Sequence, residues 1–175
     1  GETKLSRLDI VRTARLLEKK QGRMFHTSYS LLWTEMIMDY YMYSGDESIF
    51  SEVSCALNTL LKLFITYIGK SGLIKYAPNY MFVDWVVASS KEPTFLDGGK
   101  MMSHGKMEGF SLHHPPKALG QSVLCMFYYN ALLKIASLFE IKNDGKSAKE
   151  CLKKAENIKS AINNHLYDKE KGLYV

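Results

Sequence analysis

Helical segments of two kinds alternate along this chain, and the alternation restricts its fold more than any other feature. In residues 5–20, 47–68 and 147–166 apolar side chains recur every third or fourth position, with polar ones opposite. This is the pattern of a helix with one buried face. In residues 27–43 and 119–139 apolar side chains cover nearly the whole circumference, which predicts helices buried on all sides.

The order outer, inner, outer, inner, outer predicts two concentric layers of helices. In an ordinary four-helix bundle each helix keeps a solvent-exposed face, so wholly apolar helices need a second layer around them. We expect an all-α fold in which residues 1–175 form one fragment, about half, of an (α/α)6 toroid, or six-hairpin barrel. The alternative is a stack of helical pairs of the tetratricopeptide or HEAT kind, whose repeats are shorter and regular.

A long connection, residues 69–118, separates the two halves and holds the most informative short motif. Loops of this length in compact domains are functional or disordered, and the aromatic residues here are untypical of disorder. Within it, Asp84 precedes Trp85 in an otherwise apolar run. An indole plate beside a hydroxyl acceptor suits a sugar site. The competing interpretation is that Trp85 closes the end of the helical core and Asp84 caps a turn.

Composition and charge restrict the classes of partner that this chain is expected to bind. The net charge of +5 is modest, and the lysines concentrate in residues 142–171, where they predict a solvated helix face. We therefore expect no nucleic-acid partner. No apolar run is expected to be long and clean enough to span a bilayer, so no membrane partner is expected. The three cysteines, Cys55, Cys125 and Cys151, are too widely spaced for a disulfide framework and are expected to be small core residues.

No cofactor or metal is expected. His104, His113 and His114 lie in the long connection near Asp97 and Glu108, but no pair has the spacing of a metal-binding helix. The glycines of the connection lack the strand and the Gly-Lys-Ser/Thr of a phosphate loop. No Ser, Cys or Thr stands in a recognisable nucleophile motif.

Local signals fix helix ends and disclose a weak internal repeat. Gly22 is predicted to end the first helix, Ser28 or Ser30 to cap the second, and Asp46 to cap the third. Residues 67–74 and 167–174 both carry Lys and then Gly-Leu just past an outer helix. The chain is thus interpreted as a repeat with a period of about one hundred residues.

Four stretches together resemble a known family. They are Ser-Tyr-Ser-Leu-Leu-Trp at 28–33, Asp-Tyr-Tyr-Met-Tyr-Ser-Gly-Asp at 39–46, Phe-Val-Asp-Trp-Val at 82–86, and the helix ending at 163–174. They resemble the six-hairpin glycosidases, and most of all the bacterial α-L-rhamnosidases of carbohydrate metabolism. The resemblance covers nearly the whole chain and implies the central part of a glycoside hydrolase that acts on terminal α-L-rhamnosides.

Such enzymes invert the anomeric centre with a general acid and a general base about 6.5–9.5 Å apart. In the family these two groups belong to motifs that this sequence does not contain, so its catalytic residues stay unknown. We therefore expect this chain alone to be inactive. Glu35 and Asp39 lie four apart on an inner helix and are interpreted as polar interruptions rather than a catalytic pair.

The resemblance implies that three residues contact the sugar: Trp85, Asp84 and Tyr29. Trp85 matches a pocket tryptophan, and Tyr29 falls where the family places an aromatic residue at the start of an inner helix. Asp84 would fix the loop or a sugar hydroxyl. The expected partner is a rhamnoside. We also expect the chain to self-associate through the open edges of a partial barrel.

Two other functions fit the same sequence. One is a non-catalytic helical module that binds carbohydrate or protein. The other is a related six-hairpin hydrolase with a different sugar preference.

Overall fold

The computed structural model describes residues 3–24, 26–75, 77, 94–95, 101–102 and 122–174. They form five α-helices: α1 (Thr3–Lys19), α2 (Thr27–Ser44), α3 (Ser48–Tyr67), α4 (Ser122–Ile141) and α5 (Gly145–His165). Four two-residue strands make two antiparallel hairpins, β1 (Thr94–Phe95) with β2 (Met101–Met102), and β3 (Tyr167–Asp168) with β4 (Leu173–Tyr174).

The helices pack in two layers. α2 and α4 lie side by side, α1 and α3 lie side by side and both contact α2, and α5 packs along α4. The inner layer is therefore α2 and α4, and the outer layer is α1, α3 and α5. This confirms the predicted all-α fold, which is consistent with part of a helical barrel.

One hydrophobic core runs between the layers. Each outer helix contributes a single apolar stripe, such as Ile10, Val11, Ala14 and Leu17 of α1, as its spacing predicts. The largest side chains that are almost completely buried come from three helices and are Trp33, Phe64 and Tyr128. Phe64 of α3 and Tyr128 of α4 stack with ring centroids 5.2 Å apart and planes 16° from parallel, so an aromatic contact links the outer layer to the inner one.

Gly22 ends α1 as predicted. Its φ of 85° lies in the left-handed region that favours glycine, and its N–H donates to the carbonyl oxygen of Leu17 at 2.7 Å. At the start of α3, the carboxylate of Asp46 accepts from the N–H of Ser48 at 3.0 Å. The N-cap position of α3 belongs to Glu47 and not to Asp46 as predicted, but the Asp46 side chain still satisfies the first helical N–H group.

Three other predictions are wrong. Ser28 and Ser30 do not cap α2: the cap position belongs to His26, and the Ser30 hydroxyl donates back to the carbonyl oxygen of Thr27 at 2.7 Å. Cys55 is exposed, whereas Cys125 and Cys151 are buried, because Cys55 lies beside rather than within the apolar stripe of α3. Nor is α2 buried on all sides, since Met36 and Tyr43 are exposed.

The expectation about membrane-spanning length also needs correction. α3 and α4 each have 20 residues and a mean hydropathy of 1.4, enough by length and composition to cross a membrane. The core helix of a compact domain meets the same criterion, and the apolar residues of both helices pack into the common core.

Candidate functional site

Tyr29 lies in the first turn of the inner helix α2, where its side chain reaches the surface. Its N–H donates to the carbonyl oxygen of His26 at 3.1 Å, while the neighbouring side chains of Ser28 and Ser30 are buried. Tyr29 itself is 40% exposed. It is therefore not an ordinary core tyrosine, and it presents an aromatic surface at the N-terminal end of an inner helix.

His26 completes an aromatic pair with Tyr29. The ring centroids lie 4.8 Å apart with planes at 47°. Burial lowers the pKa of His26 below its usual value, because the charged imidazolium loses solvation, and this favours the neutral ring. A neutral imidazole beside a phenol offers two flat apolar faces with polar edges, which suits contact with the C–H face and hydroxyls of a sugar.

His26 was missed by sequence reasoning. Its only signal is its position three residues before Tyr29, which brings two residues onto one side of a helical turn. The residue lies at the helix boundary, and it belongs to no metal-binding or catalytic spacing that would single it out in the sequence.

Asp84 and Trp85 lie outside the described residues, as do His104, His113 and His114. Of the three residues predicted to contact sugar, the structure therefore places only Tyr29. The proposed roles of Asp84 and Trp85 stay predictions.

A second polar feature joins the two inner helices. Asn130 of α4 donates a side-chain hydrogen bond to the carboxylate of Glu35 on α2, and both residues are half-buried. Asp39, one turn further along α2, is exposed. Glu35 thus has a partner within the helical scaffold, which fits its interpretation as a polar interruption of an inner helix.

Hydrogen bonds to backbone carbonyls hold the polar start of α2 inside the core. Thr27, Ser28, Ser30 and Thr34 are all buried. The Thr34 hydroxyl donates to the carbonyl oxygen of Leu31 at 2.7 Å, just as Ser30 bonds one turn earlier. Such bonds satisfy hydroxyl groups that would otherwise be buried without partners.

Comparison with known proteins gives a likeness of fold. No protein-family model matches the sequence, and no curated protein matches it. The structure is similar to the crystal structure of a GH78 family rhamnosidase of Bacillus sp. GL1, with a TM-score of 0.59 and 16% sequence identity. The match covers 84% of this chain and 13% of that chain. The chain thus spans a small part of the length of the rhamnosidase, and what the two share is the fold.

Proposed function

We propose that this chain is part of the helical-barrel domain of a glycoside hydrolase. That enzyme would be an α-L-rhamnosidase that hydrolyses its substrate with inversion of the anomeric configuration. The observation that carries the proposal is the likeness of the two-layered helical arrangement to part of a GH78 family rhamnosidase over 84% of this chain. The sequence resemblance at residues 28–33, 39–46 and 82–86 supports the same assignment from the residues themselves.

In this proposal the chain forms part of the wall of the sugar-binding site. The catalytic acid and base come from elsewhere in the barrel. Tyr29, which is exposed, and His26, which is half-buried, provide an aromatic pair at the start of an inner helix. Trp85 supplies a second plate, and Asp84 accepts a hydrogen bond from a sugar hydroxyl. Contact of a sugar with one such ring stabilises binding by about 1 kcal/mol, mainly because apolar surface leaves water.

Titration of L-rhamnose, followed by intrinsic fluorescence and by NMR chemical shifts, tests the proposal. Tyr29→Ala and Trp85→Ala should each weaken binding by about fivefold to tenfold, the factor that corresponds to roughly 1 kcal/mol. Tyr43→Ala is the matched control, because Tyr43 is an exposed tyrosine at the other end of the same helix. Identical curves for all three variants and the unmodified chain would remove Tyr29 and Trp85 from the site.

Two further measurements separate the competing functions. D-Glucose and D-mannose, titrated in parallel, should bind more weakly than L-rhamnose, and the reverse order would favour a hydrolase with another sugar preference. An aryl α-L-rhamnoside should not be turned over by this chain alone, because a displacement with inversion needs both carboxyl groups. Turnover would contradict the placement of the acid and base outside this sequence.

A further inference from the structure

The outward face of α5 points away from the inner layer of helices. The buried side chains of this helix, among them Cys151, Ala155 and Ile158, form a single stripe that packs towards α4. Since successive residues turn by about 100°, the positions opposite that stripe lie on the far side of the helix. Further helices of a barrel would pack beside an outer helix, so they would leave its far side uncovered.

Six polar residues spaced three or four apart run along this face, and we call them the outward stripe. They are Lys146, Lys149, Lys153, Asn157, Ser160 and Asn164, and all six are exposed. Such spacing places side chains on the same side of a helix. The stripe is about 27 Å long, with ammonium groups over about the first 10 Å and amide and hydroxyl groups over the rest.

The outward stripe carries positive charge that no acidic residue of the stripe balances. Among the described residues, no carboxylate lies within 4.0 Å of the Nζ atoms of its three lysines. Of the acidic residues beside the stripe, Asp144 accepts hydrogen bonds from the N–H and the hydroxyl of Ser147 at 3.1 Å and 2.6 Å. Glu156 lies 3.6 Å from Lys159, and Glu150 borders the lysines as an exposed residue. The face is therefore open to an anionic partner.

The residue types of the outward stripe restrict the class of that partner. Protein interfaces are enriched in aromatic residues, Met and Arg and depleted in Lys and Ser, which is the reverse of this composition. Single-stranded nucleic acid is bound by stacking on aromatic side chains, and Arg is the preferred residue for phosphate groups. The stripe has neither, and the last arginine of the sequence is Arg23. A helix that lies on a membrane needs a free apolar face, whereas the apolar face of α5 packs on α4.

An anionic polysaccharide matches the chemistry that remains. Lysine ammonium groups attract carboxylates as point charges, without a fixed geometry. Asparagine amides and the serine hydroxyl both donate and accept hydrogen bonds, as the hydroxyl groups of a sugar also do. A polymer that contains uronic acids carries carboxylates and hydroxyl groups along one chain, and the outward stripe presents partners for both along one line.

We propose that the outward stripe binds an anionic polysaccharide, with carboxylates along its three lysines and sugar hydroxyl groups on its amides and its serine. Exposed charge pairs each contribute little, so binding relies on several contacts along the same polymer. The surface lies on an outer helix, apart from Tyr29 on α2. The inference goes beyond the proposed rhamnosidase function and does not depend on it, because this surface needs no catalytic group and no rhamnose.

Calorimetric titration with polygalacturonate, a linear polymer of a uronic acid, tests the proposal at about 20 mM and about 300 mM salt. The chain should bind at the lower concentration and lose most of its affinity at the higher one, because salt screens exposed charges. Replacing the three lysines of the stripe together by Gln should weaken binding at low salt by about tenfold. The matched control replaces Lys4, Lys19 and Lys62 by Gln, which removes the same net charge from exposed positions of α1 and α3. It should change the affinity by less than about twofold, and circular dichroism checks that every variant is folded.

The double variant Asn157→Ala, Asn164→Ala separates a polysaccharide from other polyanions. It should bind polygalacturonate about threefold more weakly, because it loses hydrogen bonds to sugar hydroxyl groups. It should bind poly-L-glutamate, which has no hydroxyl groups, as the unmodified chain does. Equal losses in the two lysine variants overturn the proposal, because binding would then follow net charge alone. No binding at low salt also overturns it, as does tighter binding of poly-L-glutamate, single-stranded DNA or vesicles of anionic lipid than of polygalacturonate.

Discussion

The indole N–H of Trp33 donates a hydrogen bond to the carbonyl oxygen of Ile10 at 3.1 Å, across 23 residues of sequence. Both side chains are almost completely buried. The bond fastens the inner helix α2 to the outer helix α1 and satisfies the one polar atom of the largest core side chain. It accounts for the presence of tryptophan, rather than phenylalanine, at this position of the inner helix.

Trp33→Phe should therefore destabilise the chain by about 2–4 kcal/mol. The variant loses one buried hydrogen bond, worth about 1 kcal/mol, and leaves a cavity where the larger ring had packed. The free energy of unfolding from urea titration measures the effect. Tyr43→Phe, at an exposed position of the same helix, should change stability by less than about 0.5 kcal/mol, and an equal loss in both variants would contradict the assignment.

Asp46 is the polar centre between α1, α2 and α3. Its carboxylate accepts from the Tyr40 hydroxyl at 2.9 Å, from Arg7 Nε at 3.0 Å and from the N–H of Ser48 at 3.0 Å. Hydrogen bonds from Ser48, Tyr40 and Arg7, in that order of importance, hold the pKa of Asp46 well below its usual range. The ionised form is thus favoured in the folded chain.

Acid should remove this stabilisation. A carboxyl group whose pKa is lower in the folded chain stabilises it above the unfolded pKa, near 3.8, and the effect is lost as pH falls towards the folded pKa. Asp46→Asn should cost about 1–2 kcal/mol at pH 7 and flatten the fall in stability below about pH 4. Asp9→Asn, at an exposed position of α1, is the control. Equal pH profiles for Asp46→Asn and the unmodified chain would refute the role of Asp46.

The layer assignment could be predicted from sequence because apolar periodicity is a local property of each helix. One apolar stripe on each of α1, α3 and α5, and an apolar circumference over residues 27–43 and 119–139, predicted the order of inner and outer helices. Periodicity says which side chains avoid water but not which partner covers them. This is why the second helix was expected to be buried on all sides, whereas Met36 and Tyr43 of α2 are exposed.

The site was harder to predict than the fold. Tyr29 could be selected by its position at the start of an inner helix, but its contact with His26 depends on how the chain enters that helix. The capping prediction at Ser28 and Ser30 was wrong for a related reason. Both residues are buried, and the hydroxyl of Ser30 bonds to a carbonyl oxygen within the first turn instead of to an N–H group.

The two classes of cysteine should react at different rates. Cys55 is exposed, whereas Cys125 and Cys151 are buried, and burial raises the pKa of the Cys151 thiol, which disfavours the reactive thiolate. A thiol reagent at pH 7.5 should label one cysteine per chain rapidly, and all three in denaturant. Cys55→Ser should abolish the rapid phase, and rapid labelling that survives in this variant would contradict the burial of the other two.

The hydroxyl of Tyr128 is buried, and it forms no hydrogen bond with any of the described residues. The ring stacks on Phe64, so Tyr128→Phe keeps the packing and removes only the hydroxyl. Because an unsatisfied buried hydroxyl costs about 1–3 kcal/mol, the variant should be as stable as the unmodified chain or more stable. Urea titration measures this, and a loss above about 1 kcal/mol would identify a partner outside the described residues.

Tyr128→Phe should also change how the stability of the chain depends on pH under alkaline conditions. Burial raises the pKa of Tyr128 above its usual value of 10.0. Above that pH the unfolded tyrosine ionises while the folded one keeps its proton, so stability falls as pH rises. Tyr128→Phe should remove part of this fall, and Tyr43→Phe should not. An unchanged alkaline profile in Tyr128→Phe would place the ionising group elsewhere.

Gly72 and Gly172 form a matched pair that separates backbone strain from packing. Both have a positive φ, but a Cβ would touch Ala161 only at Gly72. Gly172→Ala should cost about 1 kcal/mol from the left-handed backbone alone. Gly72→Ala should cost about 1–3 kcal/mol more, because α5 must shift to admit the methyl group. Urea titration measures both, and equal losses would show that the turn at Gly72 does not pack tightly on α5.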